Sequence, residues 1–375
     1  MATQGHSIWG PEISQYSRNF NPRISSLPEG KTERLYKACK VPSLARIENL
    51  LCEADLSPAE EADFPNLGTV TAIMQRYRVV NKSKIFKNYY GFLCVRHLIH
   101  ITYLAILQTS TLGGILDPPS SSLPWPQYSS QLAVEAMERA GRATTDTSTV
   151  QWLYMVIWGS VRFSGDPDVT MLARTLWEDR DSFITLCIRG LLPGCALLLF
   201  ACFQLLHGDK DEDDSSQETF YLQDLAFRLY LVGSPRDREV AQLVCREAVE
   251  RDSDWTNGIR RHCGPEDTRT ILKAYSEMLS EWREERLTPK TVDIDLLGGL
   301  ASYVINLVGT SPVLNVEETV QAARVCLELL WLVFECRGRI KVEDHHKIRV
   351  YAAVGFDLLR SVRWLSATHL TEPLV

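Results

Sequence analysis

Three side chains of the types that bind transition metals recur every third residue: Cys94, His97 and His100. Thiolate and imidazole are both zinc ligands, and a structural zinc site needs four ligands. On a helix, at about 100° per residue, the first and the last of the three diverge by about 240°. They cannot converge on one ion, so the spacing favours histidines of the core or of the helix surface over a metal site.

A second cluster stands at the start of the last predicted helix: Glu343, Asp344, His345 and His346. Carboxylates are favoured there because they interact with the positive end of the helix dipole. The two adjacent histidines point about 100° apart on a helix and do not easily share an ion. This cluster also favours a structural role, and the sequence predicts no metal site and no cofactor.

The run from Asp209 to Asp214 resembles the aspartate-rich motif of all-α terpene synthases, D-D-x-x-D/E, which binds magnesium diphosphate beside an apolar cavity. Read from Asp213, the last acidic position of that motif is occupied by Gln217, and a second motif of the type N-D-x-x-S-x-x-x-E/D is missing. A solvated acidic loop accounts for the run without a metal. The P-loop, dinucleotide, zinc-protease and hydrolase motifs are also missing. We therefore predict no catalytic residue and keep an enzyme with an apolar cavity as an alternative.

The stretch between Asp63 and Asp117 contains no acidic residue. Its basic residues cluster in what we call the basic segment: Arg76, Arg78, Lys82, Lys84 and Lys87. Aromatic residues stand among them and just after them: Tyr77, Phe86, Tyr89, Tyr90 and Phe92. Basic and aromatic side chains together can bind phosphates and stack on bases. The basic segment is the predicted contact for a polyanion or a partner, unless its charges only solvate a turn between two helices whose rings face inward.

Helices must position these residues, because apolar residues recur at helical spacing along most of the chain. They are predicted from Ser43 onward, over 69–80, over 84–108 and through most of the chain after residue 130. No run alternates apolar and polar residues as a strand does. We predict an all-α protein of about a dozen helices in antiparallel pairs. An armadillo- or HEAT-like α-solenoid is preferred over a globular helical bundle because repeated pairs stack easily.

The most apolar segment, from Asp181 to His207, carries no charged or polar side chain between Gly190 and Phe203. Its interruption is Pro193-Gly194, where one helix is expected to end and the next to begin. The uninterrupted part is about 14 residues, or about 21 Å, long, whereas a membrane span needs roughly 20 apolar residues. We predict a buried helix at the centre of the protein and no membrane span.

Ser-Pro and Thr-Pro pairs mark several helix starts: Ser57-Pro58, Ser234-Pro235, Thr288-Pro289 and Ser311-Pro312. A Ser or Thr oxygen accepts from a free N–H group of the first turn, and proline at the first helical position needs no acceptor. Glu60 and Asp237 stand three residues after Ser57 and Ser234, which completes the capping-box pattern. We expect helix caps here rather than phosphorylation sites.

Proline, serine and charge divide the chain into parts. An irregular arm (1–30) precedes an N-terminal helical lobe (31–208) with a long Pro/Ser-rich loop at 109–129, and an acidic loop (209–217) leads to a C-terminal helical lobe (218–375). The long loop is either a linker or a binding loop. Residues 1–150 carry a net charge of +2, so the overall −7 comes from the rest of the chain. That overall charge argues against a general polyanion binder.

The ten cysteines are scattered and mostly flanked by aliphatic residues, which is typical of core side chains rather than of disulfides. The N-terminus carries no basic region followed by an apolar run, so we expect a soluble intracellular protein, cytoplasmic or nuclear. These features favour a non-catalytic helical interaction module or scaffold whose partner is another protein. The alternatives are the enzyme named above and a weak binder of nucleic acid or anionic surfaces through the basic segment.

Overall fold

The computed structural model describes residues 9–18, 32–56, 67–82, 84–112, 166–207 and 217–234, with short pieces at 237–238, 240–245, 269–270, 273–274 and 277. Of these residues 81% are helical. They contain no β-strand, and an isolated β-bridge joins Glu12 to Asn88. The described part of the chain is all-α, as predicted. None of its helices is long and apolar enough to cross a membrane.

Two compact units divide the chain, Met1–Ala241 and Gln242–Val375, and every helix named below lies in the first. In chain order they are α1 (Ile13–Tyr16), α2 (Thr32–Cys39), α3 (Leu44–Leu56), α4 (Leu67–Asn81), α5 (Tyr89–Leu112), α6 (Asp166–Glu178), α7 (Arg180–Ile188), α8 (Cys195–His207) and α9 (Gln217–Val232). The helices predicted over 69–80 and 84–108 correspond to α4 and α5. α5 starts later than predicted because residues 84–88 form a turn. Residues 109–112 of the predicted long loop belong to α5, and 113–129 lie outside the described residues.

α8 lies at the centre of the first unit. It packs against α5, α6 and α9, and its side chains from Cys195 to Phe203 are all buried. Fully burying one leucine side chain contributes about 1.5–3 kcal/mol. A helix that is apolar on every face therefore gains most when other helices surround it. The prediction of a central buried helix is confirmed.

The junction between α7 and α8 depends on glycine. After α7 ends at Ile188, Gly190 takes a left-handed backbone conformation with φ +64°. The Leu191 N–H group then donates to the Leu186 carbonyl at 3.0 Å, which satisfies a free acceptor at the helix end. The break predicted at Pro193-Gly194 is confirmed, although it begins earlier, at this glycine.

Asp237 caps α8 from a later part of the chain. Its carboxylate accepts hydrogen bonds from the backbone N–H groups of Gly194 and Ala196, which are free donors at the start of the helix. The Ser234 hydroxyl donates to Asp237 Oδ2 at 2.8 Å, and the Asp237 N–H group donates to Ser234 Oγ at 3.2 Å. The cap predicted at Ser234 is confirmed, and its acidic partner also stabilises α8. The other three predicted caps lie outside the described residues.

Residues 9–18, within the arm expected to be irregular, pack against the start of α5. The carbonyl groups of Pro11 and Trp9 accept from the N–H groups of Tyr89 (2.9 Å) and Tyr90 (3.1 Å). These carbonyls therefore take the place of a side-chain cap for α5. Trp9 is buried, and its ring stands edge-on to that of Tyr90 with centroids 5.0 Å apart, an arrangement that adds to the burial energy. This part of the arm is thus anchored to the core.

Candidate interaction groove

A turn connects α4 to α5 and carries the second half of the basic segment. α4 ends where Lys82 adopts a left-handed backbone conformation with φ +47°. The Asn81 side-chain amide donates across the turn to Asn88 Oδ1 at 2.8 Å, and the Tyr77 hydroxyl donates to the same oxygen at 3.3 Å. Because the Asn88 side chain already accepts from these two groups, it does not cap α5. The carbonyls of the N-terminal arm accept from the first N–H groups of α5 instead.

Two contacts fix the position of this turn. A Cβ atom on Gly91 would lie 1.9 Å from the Ile85 carbonyl oxygen, so only glycine lets the turn rest on α5. On the other side, Asp179 accepts a hydrogen bond from the Phe86 N–H group at 2.8 Å. Lys84 Nζ lies 3.8 Å from the second oxygen of the same carboxylate. The turn is thereby attached both to α5 and to the junction between α6 and α7.

Asp179 is a buried acid whose partners come from three places. Burial raises the pKa of its carboxyl group above the usual value, while hydrogen bonds from Ser182 and the Phe86 N–H group, together with the charge of Lys84, oppose that rise. A buried carboxylate is tolerated only when such partners replace the water it has lost. Because the Phe86 N–H group is one of these partners, Asp179 fixes the position of the turn.

Arg78 joins α4 to α6. Its guanidinium donates to the Thr175 hydroxyl at 2.6 Å and forms an ion pair with Glu178. Arg174, one helical turn earlier on α6, contacts the other oxygen of Glu178 at 3.0 Å. Both ion pairs are partly exposed, and such pairs contribute only about 0–1 kcal/mol. The Arg78 pair connects α4 to α6 and orients the two helices, whereas the Arg174 pair lies within α6. The charge of Arg78 is neutralised within the fold.

An open groove of 530 Å³ lies between α4, the turn and α6, and we call it the α4–α6 groove. Its lining combines the basic residues Arg78, Lys82 and Lys84 with the apolar residues Val79, Ile85 and Met171. Glu178 is the one carboxylate among the described residues that line it. The groove thus offers positive charge and apolar contact side by side.

Two exposed valines stand at the end of α4, and the first of them, Val79, belongs to the groove lining. Val79 is 74% exposed and Val80 is 48% exposed. Ile188, at the end of α7, is the one other large apolar residue that is comparably exposed in the described part of the chain, at 53%. Adjacent exposed apolar residues next to a concave surface are typical of places that a partner covers.

The structure divides the basic segment into two groups. Arg78, Lys82 and Lys84 line the groove. Arg76 lies outside the lining and donates to the Lys40 carbonyl at 2.8 Å, where a cation interacts favourably with the end of α2. Lys87 is exposed on the turn, also outside the lining. The groove therefore brings together the central members of the predicted contact and leaves Arg76 and Lys87 at its sides.

The aromatic residues of this region are all buried: Tyr77, Phe86, Tyr89, Tyr90 and Phe92. They pack against one another, as the ring centroids of Tyr77 and Tyr90 show at a separation of 5.4 Å. Stacking on a base requires an exposed ring face. These rings have no exposed face. Of the two predicted alternatives, the structure therefore shows the one in which the aromatic rings face inward.

Cys94, His97 and His100 lie in the buried part of α5. Burial lowers the pKa of His97 to about 4. It lowers the pKa of His100 to about 3, with smaller contributions from repulsion by the neighbouring His97 when protonated and by the charge of Arg96. Both imidazoles are neutral at pH 7. In the part of the chain that the structure describes, no group of three or more His, Cys, Asp or Glu side chains could hold a metal. The 343–346 cluster and the 209–214 run lie outside that part.

The sequence did not predict that residues of α6 line the groove. Arg78 and Glu178 stand 100 positions apart, and no local pattern connects them. One signal was available: residues 177–181, W-E-D-R-D, place three acids and an arginine next to the most apolar segment of the chain. Charged side chains so close to a core need partners, and the acid-free basic segment was the place to look for them.

No protein-family model, no curated protein and no solved structure matches this chain. The function therefore has to be argued from the groove itself. Its useful properties are an open shape, an exposed aliphatic edge, lysines at its rim and walls that ion pairs and a buried acid hold in place.

Proposed function

We propose that the protein is a non-catalytic helical interaction module that binds another protein through the α4–α6 groove. The observation that supports this function is Val79, which is 74% exposed at the edge of an open groove of 530 Å³. Removing apolar surface from water is favourable by about 25 cal/mol per Å². A partner protein can supply the apolar side chain that covers Val79, whereas a phosphate backbone cannot.

The walls of the groove are in position before a partner arrives. The ion pair between Arg78 and Glu178 holds α4 against α6, and Asp179 holds the turn. A preformed surface loses little conformational freedom on binding, and this raises the affinity that a given contact area can reach. The fixed walls therefore favour docking of a partner segment into the groove.

Nucleic acid is less well supported as the occupant of this groove. Proteins that bind single strands combine basic grooves with exposed aromatic platforms, and the rings of this region are buried. Glu178 also places a negative charge in the lining. The basic segment alone supports weak, salt-sensitive binding of a polyanion, which the experiments below include as an outcome.

An enzyme also has less support from this site. The groove is open to solvent, whereas an enzyme of the apolar-cavity type encloses its substrate. Glu178 is the one described carboxylate in the lining, and Arg78 and Arg174 both contact it. Both oxygens of this carboxylate are thus engaged by guanidinium groups rather than free to act on a substrate.

An armadillo- or HEAT-like arrangement is part of the proposal. It draws on helices that pack on their neighbours in the chain, α4 on α5 and α8 on α9, whereas the packing of α6 on α9 and of α5 on the central helix α8 is typical of a globular bundle. Stacked helix pairs present extended surfaces, and proteins of this type use such surfaces to bind partners.

The test places a photoreactive amino acid at position 79 of the full chain and irradiates the protein in an extract of the cells that make it. We expect a discrete cross-linked protein that disappears when unlabelled wild-type protein is added in excess. Ile188 is the matched control position, because it is an exposed aliphatic residue outside the groove. Equal cross-linking at both positions, or none at position 79, would contradict the proposal.

A further inference from the structure

We infer that the partner segment in the α4–α6 groove is acidic, with aspartate or glutamate side chains close to an aliphatic one. This inference rests on the proposed function and adds the chemistry of the partner. Three properties of the groove support it: the lysines at the rim, the arginine that is already paired, and the apolar lining between them.

Lysines supply the positive charge that a partner can reach. Lys82 is exposed where α4 ends, and Lys84 is exposed at the start of the turn. Lys84 Nζ lies 3.8 Å from carboxylate oxygens of Asp179 and Asp181, which is beyond hydrogen-bonding distance. Its ammonium group can therefore turn to a carboxylate of a partner while it still offsets the charge of Asp179.

The arginines of this region are already engaged, so the described lining of the groove has no free guanidinium to select a phosphoryl group. Phosphorylated segments are read by arginines that donate two parallel hydrogen bonds. Here Arg78 is bonded to Thr175 and Glu178, and Arg76 is bonded to the Lys40 carbonyl. The groove is left with lysines, which act as point charges without such a fixed geometry. Lysines pair with carboxylates and phosphates alike, so unmodified aspartate or glutamate is sufficient to match the charge of this lining.

The charge distribution of the chain points the same way. The protein carries a net charge of −7, yet no acidic residue occurs between Asp63 and Asp117. The fold brings Glu178, Asp179 and Asp181 to the basic segment. Its five basic residues outnumber these three acids, so the local charge is positive while that of the whole molecule is negative. A local positive patch steers an acidic segment to one place and disfavours contact with the remaining surface.

The apolar lining explains why charge alone is not enough. Ile85 is fully buried beneath the groove, while Val79 projects from its edge. Met171 lines the α6 side, and its unbranched side chain adapts to different neighbours. An aliphatic side chain placed among these three residues would be covered on several sides. The occupant therefore needs an aliphatic residue as well as acidic ones.

The test offers phage-displayed random peptides to the immobilised full-length protein. We expect the selected peptides to combine Asp or Glu with Leu, Ile or Val. A synthetic peptide of that composition should lose about tenfold in affinity when Lys82→Glu or Val79→Ser is introduced. Both positions are exposed, so the variants should keep the wild-type melting temperature. Lys87→Glu is the matched control, because it makes the same charge change outside the lining, and its effect should stay within about twofold.

Selected peptides without an acidic bias, or affinities that Lys82→Glu leaves unchanged, overturn the inference. The cross-link at position 79 then shows whether the proposed function falls with it. A specific cross-link without acidic peptides retains the interaction module and rejects only this partner chemistry, whereas the loss of both rejects both. Single-stranded RNA and anionic vesicles are tested in parallel. Binding of either one that Lys82→Glu abolishes, with no peptide selected, replaces the peptide by a polyanion.

Discussion

Two buried aspartates hold two different regions of the first unit. Asp237 accepts hydrogen bonds from the first N–H groups of the central helix α8, and Asp179 accepts one from Phe86 in the turn beside the groove. Burial raises the pKa of both carboxyl groups. Their surroundings differ, because neutral donors surround Asp237 whereas Asp179 also has the Lys84 ammonium 3.8 Å away.

This difference shows how one means of stabilisation serves two purposes. In the core, the carboxylate balances the free N–H groups of a helix start, and the contact has no reason to change. At the groove, the carboxylate fixes a turn while its counter-charge comes from an exposed lysine. Lys84 can therefore interact with a partner while the hydrogen bond to Phe86 keeps the turn in place. The core is stabilised by fixed contacts, and the groove combines a fixed backbone with adaptable charges.

Leu198→Asp should have the largest effect, because it adds a buried carboxylate without the donors that Asp237 and Asp179 have. Leu198 is fully buried in α8, where the neighbouring N–H groups are already bonded within the helix. We expect a loss of about 4 kcal/mol or more from a total stability of roughly 5–15 kcal/mol. Circular dichroism during thermal unfolding should then show no cooperative transition near the wild-type temperature.

Val79→Asp is the control for this prediction. Its side chain is exposed, so the same chemical change should alter stability by no more than about 0.5 kcal/mol. A Leu198→Asp protein that melts at the wild-type temperature would show that α8 does not lie in the core.

The sequence predicts the core region of this comparison better than the groove region. α8 is apolar on every face, so its burial does not depend on which helix it meets, and the cap at Ser234 involves a partner only three residues away. The contact between Phe86 and Asp179 spans 93 positions, and no local pattern encodes it. Single-sequence periodicity also could not decide which way the rings near the basic segment face, because the turn at 84–88 shifts the helical register.

The buried histidines of α5 differ from the two aspartates because they are bases rather than acids. The folded-state pKa values of His97 and His100 are about 4 and about 3, below the ordinary value of 6.5. Between pH 6.5 and these folded-state values, the unfolded chain binds more protons than the folded chain, so the free energy of unfolding falls as the pH falls. The two aspartates have raised pKa values, so their contribution has the opposite sign, and stability falls as the pH rises through the range above 3.8.

We expect the two histidines together to lower the free energy of unfolding by roughly 5 kcal/mol between pH 6.5 and pH 4, with similar contributions from each. Urea unfolding at a series of pH values measures it. The variant His97→Leu/His100→Leu should lose most of the slope in the upper part of this window, where the wild-type histidines become protonated only on unfolding. Parallel curves for the two proteins would mean that both imidazoles are accessible to protons in the folded state.

The amide substitutions Asp237→Asn and Asp179→Asn compare the two aspartates directly, with smaller expected effects. An asparagine keeps one acceptor oxygen and replaces the other by a donor. The Asp237 carboxylate accepts hydrogen bonds from three donors, in Ser234, Gly194 and Ala196. The NH₂ group of an asparagine would face at least one of these donors. We expect Asp237→Asn to cost about 2 kcal/mol.

Asp179→Asn should cost less than about 1 kcal/mol. The amide oxygen can keep the bond from the Phe86 N–H group, and Lys84, which is exposed, can move its ammonium group into solvent. Removal of a buried charge also relieves the desolvation that raises the pKa of this carboxyl group. Urea unfolding of both variants at pH 7 gives the comparison. If Asp179→Asn proves the more destabilising of the two, the charge of Lys84 rather than the neutral donor holds the turn. In that case the lysine is not available to a partner, and the acidic peptide should bind through Lys82 alone.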